Sequence, residues 1–263
     1  MRLSRKTWSS LSSEVALPGY DAQGQRAGIV HFGIGAFHRA HQAVYTDDAM
    51  AAGDRDWRIV GVSLRSGDVA DQLNPQDGLY TLVQRSSDQT SARLIGSVAR
   101  VIVAPKDPQA VIDAVASPNT HIVSFTVTEK GYVRRPDGSL DRDDRAVASD
   151  ISGATAPRTI YGFVAAGLAK RRAMGLPGLT LLSCDNLADN GARLKHLMTD
   201  YLAATDPALA DWFAQTCRCP GTMIDRIVPA VTDADRASVA TRIGLDDEAT
   251  VITEPFSQWV IED

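Results

Sequence analysis

The sequence predicts an α/β fold, a doubly wound parallel sheet carrying an inserted antiparallel strand segment, and three observations carry that prediction. Short apolar runs alternate with helix-like stretches along most of the 263 residues. The run Gly28-Ile-Val-His-Phe32 meets a glycine turn, Gly33-Ile-Gly35, that opens straight into a helical stretch. Between about 79 and 104 the pattern changes to Leu79-Tyr-Thr-Leu-Val83 and Ala92 to Val103, whose alternation reads as antiparallel strands beside the main sheet.

Taken in order, residues 1–26 carry Pro18, Gly19 and Gly24 without clear periodicity, and are expected to form an arm laid over a domain spanning 27–263. The strand ending at Phe32 leads to a helix expected over about 37–52, closed by Gly53. The strand Arg58 to Leu64 completes a βαβ unit, which implies a right-handed crossover. After the antiparallel segment, Asp107-Pro108 opens a helix to about 117, and the buried-looking strand His121 to Val127 follows. A helix near 157–173 and the strand Thr180 to Ser183 continue the alternation. Residues 134–156, rich in Arg, Asp, Ser and Gly, read as an exposed loop. Helices are expected near 190–204, 206–216 and 233–243, around the Met223 to Pro229 segment.

Composition narrows the function. Hydrophobic content of 44% and charged content of 22% are ordinary for a globular chain, and a net charge of -5 offers no basic face to nucleic acid or anionic lipid. Small-molecule chemistry is the expectation. Three cysteines, Cys184, Cys217 and Cys219, are too few for a disulfide framework, and Cys217-Arg-Cys219 is not a CxxC pair. No apolar run reaches the roughly 20 residues of a membrane span, and the polar start lacks a signal-peptide core, so the expected location is the cytoplasm.

The glycine turn carries the first chemical signal. Gly33 permits a tight turn, and Gly35, without a Cβ, lets the backbone approach a pyrophosphate at a helix N-terminus; His38 stands where a third glycine would be. A structural turn fits a bare glycine pair equally well. Ligands of open α/β sheets bind beyond the carboxyl ends of the strands. Glu129 and Lys130 follow one such end; Asp185, Asn186 and Asn190 follow another. Each has a plainer reading: Asn186 as a helix cap, Glu129 paired with Lys130 or Arg134, Asp225 paired with Arg226. At the end of the second strand, Asp68 suits the ribose 2′-hydroxyl of NAD, whereas Arg65 and Ser66 suit a 2′-phosphate, with solvated loop charge as the alternative for all. His38 and His41, with Asp47 or Asp48, invite a zinc reading, against which packing beneath a nucleotide is the plainer role; no metal is expected.

Five blocks recur in order: Gly33-x-Gly35-x-Phe37-His38-Arg39-Ala40-His41-Gln42, Thr126-Val-Thr-Glu-Lys-Gly-Tyr132, Ser183-Cys-Asp-Asn-Leu-Ala-Asp-Asn-Gly191, Met223-Ile-Asp-Arg-Ile-Val-Pro229 and Glu254-Pro-Phe-Ser-Gln-Trp-Val-Ile-Glu-Asp263. Together they resemble the mannitol dehydrogenase family, the long-chain polyol dehydrogenases that include mannitol 2-dehydrogenases and fructuronate reductases. The resemblance implies a Rossmann-type domain holding NAD, with NADP as the alternative. It places Gly33, Ile34, Gly35, Ala36, Phe37, His38, Arg39, Arg65, Asp68, Thr128 and Asn190 around that cofactor. It further implies that Asn186 polarises the reacting oxygen, that Glu129 takes part in proton movement around the base, and that Asp225 lies near nicotinamide and substrate. The implied activity is hydride transfer between nicotinamide and a secondary alcohol of an acyclic polyol or a sugar acid such as mannonate. Family members are longer, and their catalytic lysine lies in a helical C-terminal domain, in a Lys-x-x-x-x-Asn-x-x-His motif that this sequence lacks. The expectation is therefore a cofactor domain that is inactive without that helical partner. A stand-alone nucleotide-binding or regulatory module and a polyol-phosphate dehydrogenase stay open as alternatives.

Overall fold

The computed structural model describes residues 1–262; Asp263, which closes the last motif block, lies outside the described residues. The N-terminal segment supplies strand β1 (Val15–Ala16), and the first βαβ unit follows as β2 (Ala27–Phe32), α1 (Ala36–Ala40), α2 (Gln42–Ala51) and β3 (Arg58–Ser63). Helix α3 (Asp68–Leu73) precedes β4 (Tyr80–Arg85), β5 (Thr90–Ile95), β6 (Val98–Val103), α4 (Pro108–Ala116) and β7 (Ile122–Phe125). Next come α5 (Thr128–Gly131), α6 (Arg145–Ser152), α7 (Ile160–Ala173), β8 (Thr180–Ser183), α8 (Asn190–Thr205) and α9 (Pro207–Thr216). Strand β9 (Thr222–Asp225), α10 (Asp233–Ile243), β10 (Val251–Thr253) and β11 (Gln258–Ile261) complete the described chain.

The central sheet is parallel throughout, in the order β6-β3-β2-β7-β8. Chain order reverses between β2 and β7, so the loops leaving those strands diverge and open a crevice at the carboxyl edge. Helices cover both faces, which is why these strands read as near-continuous apolar runs. One face packs Phe32, Phe125, Phe163 and Phe213 into a cluster with residues of α4, α7, α8 and α9. The other packs Ile29 and Ile59 against α1, α2, α3 and a second sheet.

That second sheet runs β1-β5-β4-β10, with β4 and β5 antiparallel and the outer strands parallel to their neighbours. The predicted antiparallel segment is therefore present, but its second run divides. Gly96 donates its N–H to Asp47, Ser97 donates its hydroxyl to the Ala43 carbonyl, and β6 leaves the hairpin to pair with β3. The N-terminal segment is more than a covering arm, since Leu3 and Val15 are buried in one cluster with Val239 and Ile243 of α10.

Two further expectations change. The helix predicted over 37–52 breaks at His41 (φ -118°, ψ -95°), whose Nε2–H donates to the Gln258 carbonyl at 2.8 Å. The predicted loop 134–156 contains α6: Asp144 caps it through the Ala146 and Val147 N–H groups, and Val147 and Asp150 are buried. Elsewhere the capping signals hold, with Asp107 accepting from Ala110 N–H before α4 and Gly53 at φ +115° after α2. Strands β9 and β11 form an antiparallel ribbon whose Ile224 and Trp259 pack on Leu182, Cys184 and Phe37. Its outer side exposes Met223 and Val260. Among the described residues no helix is long and apolar enough to cross a membrane.

Candidate functional site

The turn after β2 is fixed by contact with the neighbouring loop. Gly33 has φ +97°, and a Cβ on it would lie 2.1 Å from the Thr126 carbonyl oxygen, so no side chain fits there. Its N–H donates to Val62 at 3.0 Å, and the Gly35 N–H donates back to the Gly33 carbonyl at 2.6 Å. Gly35 is different: a Cβ on it would meet only the Gly33 oxygen at 3.8 Å, so its bare backbone faces open space. Ile34 points inward, where a Cβ on Gly61 would come within 2.8 Å of it. Gly33, Gly35, Ala36 and Phe37 thus reach the surface, while Ile34, His38 and Arg39 are buried beneath it.

The side chains of Ile34, His38 and Arg39 thus lie beneath the turn and not on its open face. The His38 ring stacks on His31 with centroids 3.4 Å apart. His31 in turn bonds Ser124 Oγ and Thr126 Oγ1, each at 2.8 Å, and the Thr126 hydroxyl donates to the Gly33 carbonyl at 2.7 Å. Arg39 braces α1 on the second sheet: its guanidinium donates to the Ala249 carbonyl and sits 5.7 Å from the Tyr80 ring centre.

Burial pushes His31 from 6.5 down to about 3, and carries His38 well below 6.5, aided by the nearby His31 and Arg39. The folded state therefore holds both rings neutral over a range in which the unfolded chain binds protons. The contribution of His31 is complete above pH 6.5 and lost as pH falls from there towards about 3, and that of His38 is lost in the same direction. Thermal melts are expected to show the melting temperature already declining between pH 6.5 and about 5, ahead of ordinary carboxylate titration. A level melting temperature across that interval would contradict this account.

Strands β7 and β8 are neighbours, pairing Phe125 with Ser183, so their loops emerge side by side. Glu129 is exposed and pairs with Arg134 at 2.7 Å, one of the two partners its plainer reading named. Thr128 is exposed with φ +64°. Asn186 is exposed and directly follows Asp185, which is buried and accepts from the Val127 N–H at 3.1 Å, the Thr128 N–H at 3.0 Å and the Tyr132 hydroxyl at 2.9 Å. Burial raises the Asp185 carboxyl and these donors lower it. Asn190 is buried and works as a crossbar. Its amide donates to the Asp185 and Thr222 carbonyls at 3.0 Å and accepts the Thr222 N–H at 2.9 Å, fastening β8 to β9. Asp225 is exposed at the end of β9, and Arg226 turns away from it to donate to the Ala40 and Glu254 carbonyls.

At the end of β3, Arg65, Ser66 and Asp68 are exposed as expected. The structure adds Lys106, whose Nζ lies 3.3 Å from the place a Gly67 Cβ would occupy. Sequence reasoning missed it by assigning the strand before it to the antiparallel segment, whereas β6 lies against β3. A cleft of about 500 Å³ opens here, with Leu64, Ala104, Pro105, Pro108, Phe163 and Arg158 in its walls. Among the described residues no three His, Cys, Asp or Glu side chains gather as a metal-binding group, and His38 and His41 are each buried separately.

The carboxyl edge of the sheet thus offers a bare backbone turn, a partly apolar cleft with cations at its margin, and an exposed carboxamide with two exposed carboxylates. An elongated ligand with an anionic middle and a flat apolar end matches the first two.

Comparison with known proteins identifies the family. The family profile described as the mannitol dehydrogenase Rossmann domain matches residues 27–263. A mannitol 2-dehydrogenase of Pyrenophora tritici-repentis is 42% identical over 268 aligned residues, covering 100% of this chain and 47% of the relative. The structure of Pseudomonas fluorescens mannitol 2-dehydrogenase, a ternary complex with NAD and D-mannitol, superposes with a TM-score of 0.96 at 41% identity, covering 100% of this chain and 55% of that one. A D-sorbitol dehydrogenase in substrate-free form gives a TM-score of 0.95 at 36% identity, with the same coverage. The chain spans about half the length of the curated relatives it matches.

Proposed function

The chain belongs to the mannitol dehydrogenase family, and from that premise we propose that it is the cofactor-binding part of an NAD-dependent oxidoreductase acting on a secondary alcohol of an acyclic polyol or sugar acid. The observation that carries this reading is the turn at Gly33 and Gly35. One glycine is forced by the Thr126 carbonyl 2.1 Å from its missing Cβ, and the other leaves its face open. That is the room a pyrophosphate needs to approach backbone N–H groups. Since α1 has only five residues, the pyrophosphate would be held by those N–H groups themselves and not by the dipole of a long helix.

NAD, when bound, supplies the hydride chemistry, and the protein's task is to hold and orient it. Gly33, Gly35, Ala36 and Phe37 would line the pyrophosphate, and the Leu64 to Phe163 cleft would take the flat adenine end. Asp68 favours a free ribose 2′-hydroxyl; Arg65 and Lys106 leave NADP as the weaker alternative. Asn186 would donate its amide to the reacting oxygen, with Glu129 and Asp225 as neighbouring acids that hold or pass a proton. The general base is proposed to be a lysine of a helical domain outside this chain. The exposed Met223 and Val260 on the ribbon suit the seat of such a domain. Three free cysteines suit a reducing cytoplasm.

Fluorescence titration of the 263-residue protein with NADH and NADPH, followed by assays with mannitol, fructose, mannonate and fructuronate, tests the proposal. NADH is expected to bind more tightly than NADPH, with no turnover until the helical half is supplied. Failure to bind either nucleotide would refute it. Robust turnover by residues 1–263 alone would place the base within this chain instead.

A further inference from the structure

One buried carboxylate joins the two loops that carry Glu129 and Asn186. The turn bearing Glu129 is strained at both ends: Thr128 has φ +64° and Val133 has φ +45°. Both are β-branched residues, for which the left-handed region is costly. Such a conformation persists only where surrounding contacts over-determine it. Asp185 supplies those contacts. Its side chain takes the N–H groups of Val127 and Thr128 where the turn begins, and the Tyr132 hydroxyl where it ends. Because the single Tyr132 proton goes to Asp185, Ser183 must donate the 2.6 Å bond to the same phenol oxygen. The Tyr161 hydroxyl fixes the Tyr132 carbonyl at 2.7 Å. Asn190 holds the backbone carbonyl of Asp185 at 3.0 Å.

We propose that Asp185 is a positioning residue that sets Glu129 against Asn186 by gripping the strained Thr128–Val133 turn from the loop on which Asn186 stands. This rests on the reading of Asn186 and Glu129 as reacting groups. Asp185 is only 8% exposed and all its donors are neutral, so it acts through its neighbours and not on substrate. A preorganised pair of groups gains its effect from geometry, and misplacement by about 1 Å can cost on the order of 100-fold.

The test uses the intact, active enzyme and three variants, Asp185→Asn, Tyr132→Phe and Thr128→Gly, with Asn186→Ala measured beside them. Tyr132→Phe removes one grip while keeping the ring, and is expected to lower kcat about 10-fold with NADH affinity within about twofold. Thr128→Gly relieves the strain, and is expected to hold or raise the melting temperature while kcat falls. A merely structural role would move stability and activity together. Asp185→Asn should show the largest loss of kcat per folded molecule; if it does not fold, the other two decide. Full kcat in both Tyr132→Phe and Thr128→Gly, with Asn186→Ala impaired, would overturn the inference alone. Full kcat in Asn186→Ala would overturn the reading of the reacting groups and the inference with it.

Discussion

Gly33→Ala is expected to abolish NADH binding and to lower the free energy of unfolding by about 3 kcal/mol, the sum of an unfavourable backbone conformation and a steric conflict. The conformation is φ +97°, and the conflict is a Cβ 2.1 Å from the Thr126 carbonyl oxygen. A flexible side chain would swing aside, but this obstacle is backbone. The Thr126 N–H is held by the Phe32 carbonyl at 2.9 Å, and its hydroxyl by the Gly33 carbonyl at 2.7 Å. Relief must therefore come from moving the turn, which displaces the N–H groups proposed to meet the pyrophosphate. Gly35→Ala is the matched control: its Cβ meets nothing closer than 3.8 Å, so stability should change by less than about 0.5 kcal/mol while NADH binding still weakens. Urea unfolding and NADH titration of the pair separate the two effects. Equal stability losses in both variants would contradict the geometric account.

Much of the scaffold was legible because its determinants are local. The strands from Gly28 and from Thr180 are apolar runs covered on both faces, and Asp107-Pro108 caps a helix within one turn. The glycine turn was legible for the same reason, whereas Asn186, Glu129 and Asp225, all exposed, stood out through motif blocks that resemble the family's. What stayed hidden depends on partners far along the chain. The helix break at His41 is fastened by Gln258, more than two hundred residues away. Strand β6 carries an alternating pattern that cannot announce which sheet it will join, and Lys106 went unnoticed with it. Asp185 is an acid whose burial is tolerable only because Val127, Thr128 and Tyr132 supply donors from the neighbouring loop. Within the first motif, His38 and Arg39 match the family pattern, yet they face inward and support the turn from below.

Asn186→Ala in the intact enzyme is expected to lower kcat by on the order of 100-fold or more while leaving the NADH dissociation constant nearly unchanged, in line with the loss of one donor to a developing oxyanion. The side chain is exposed at the carboxyl edge of β8, on a loop whose preceding residue is locked by three hydrogen bonds. The loop is thus rigid while the amide remains available to a ligand. In reduction the carbonyl oxygen gains negative character as hydride arrives, and in oxidation the alcohol oxygen gains it as its proton leaves, so a fixed amide donor stabilises the alkoxide-like transition state in either direction. An interaction made chiefly in the transition state shows itself as equal losses in kcat and kcat/KM. Asn186→Asp sharpens the test, because a carboxylate of similar size cannot donate and repels the developing charge; it should fall below alanine. Should Asn186→Asp match the unsubstituted enzyme, the amide would have no part in stabilising the oxygen. A loss confined to KM would assign it to ground-state binding of the polyol instead.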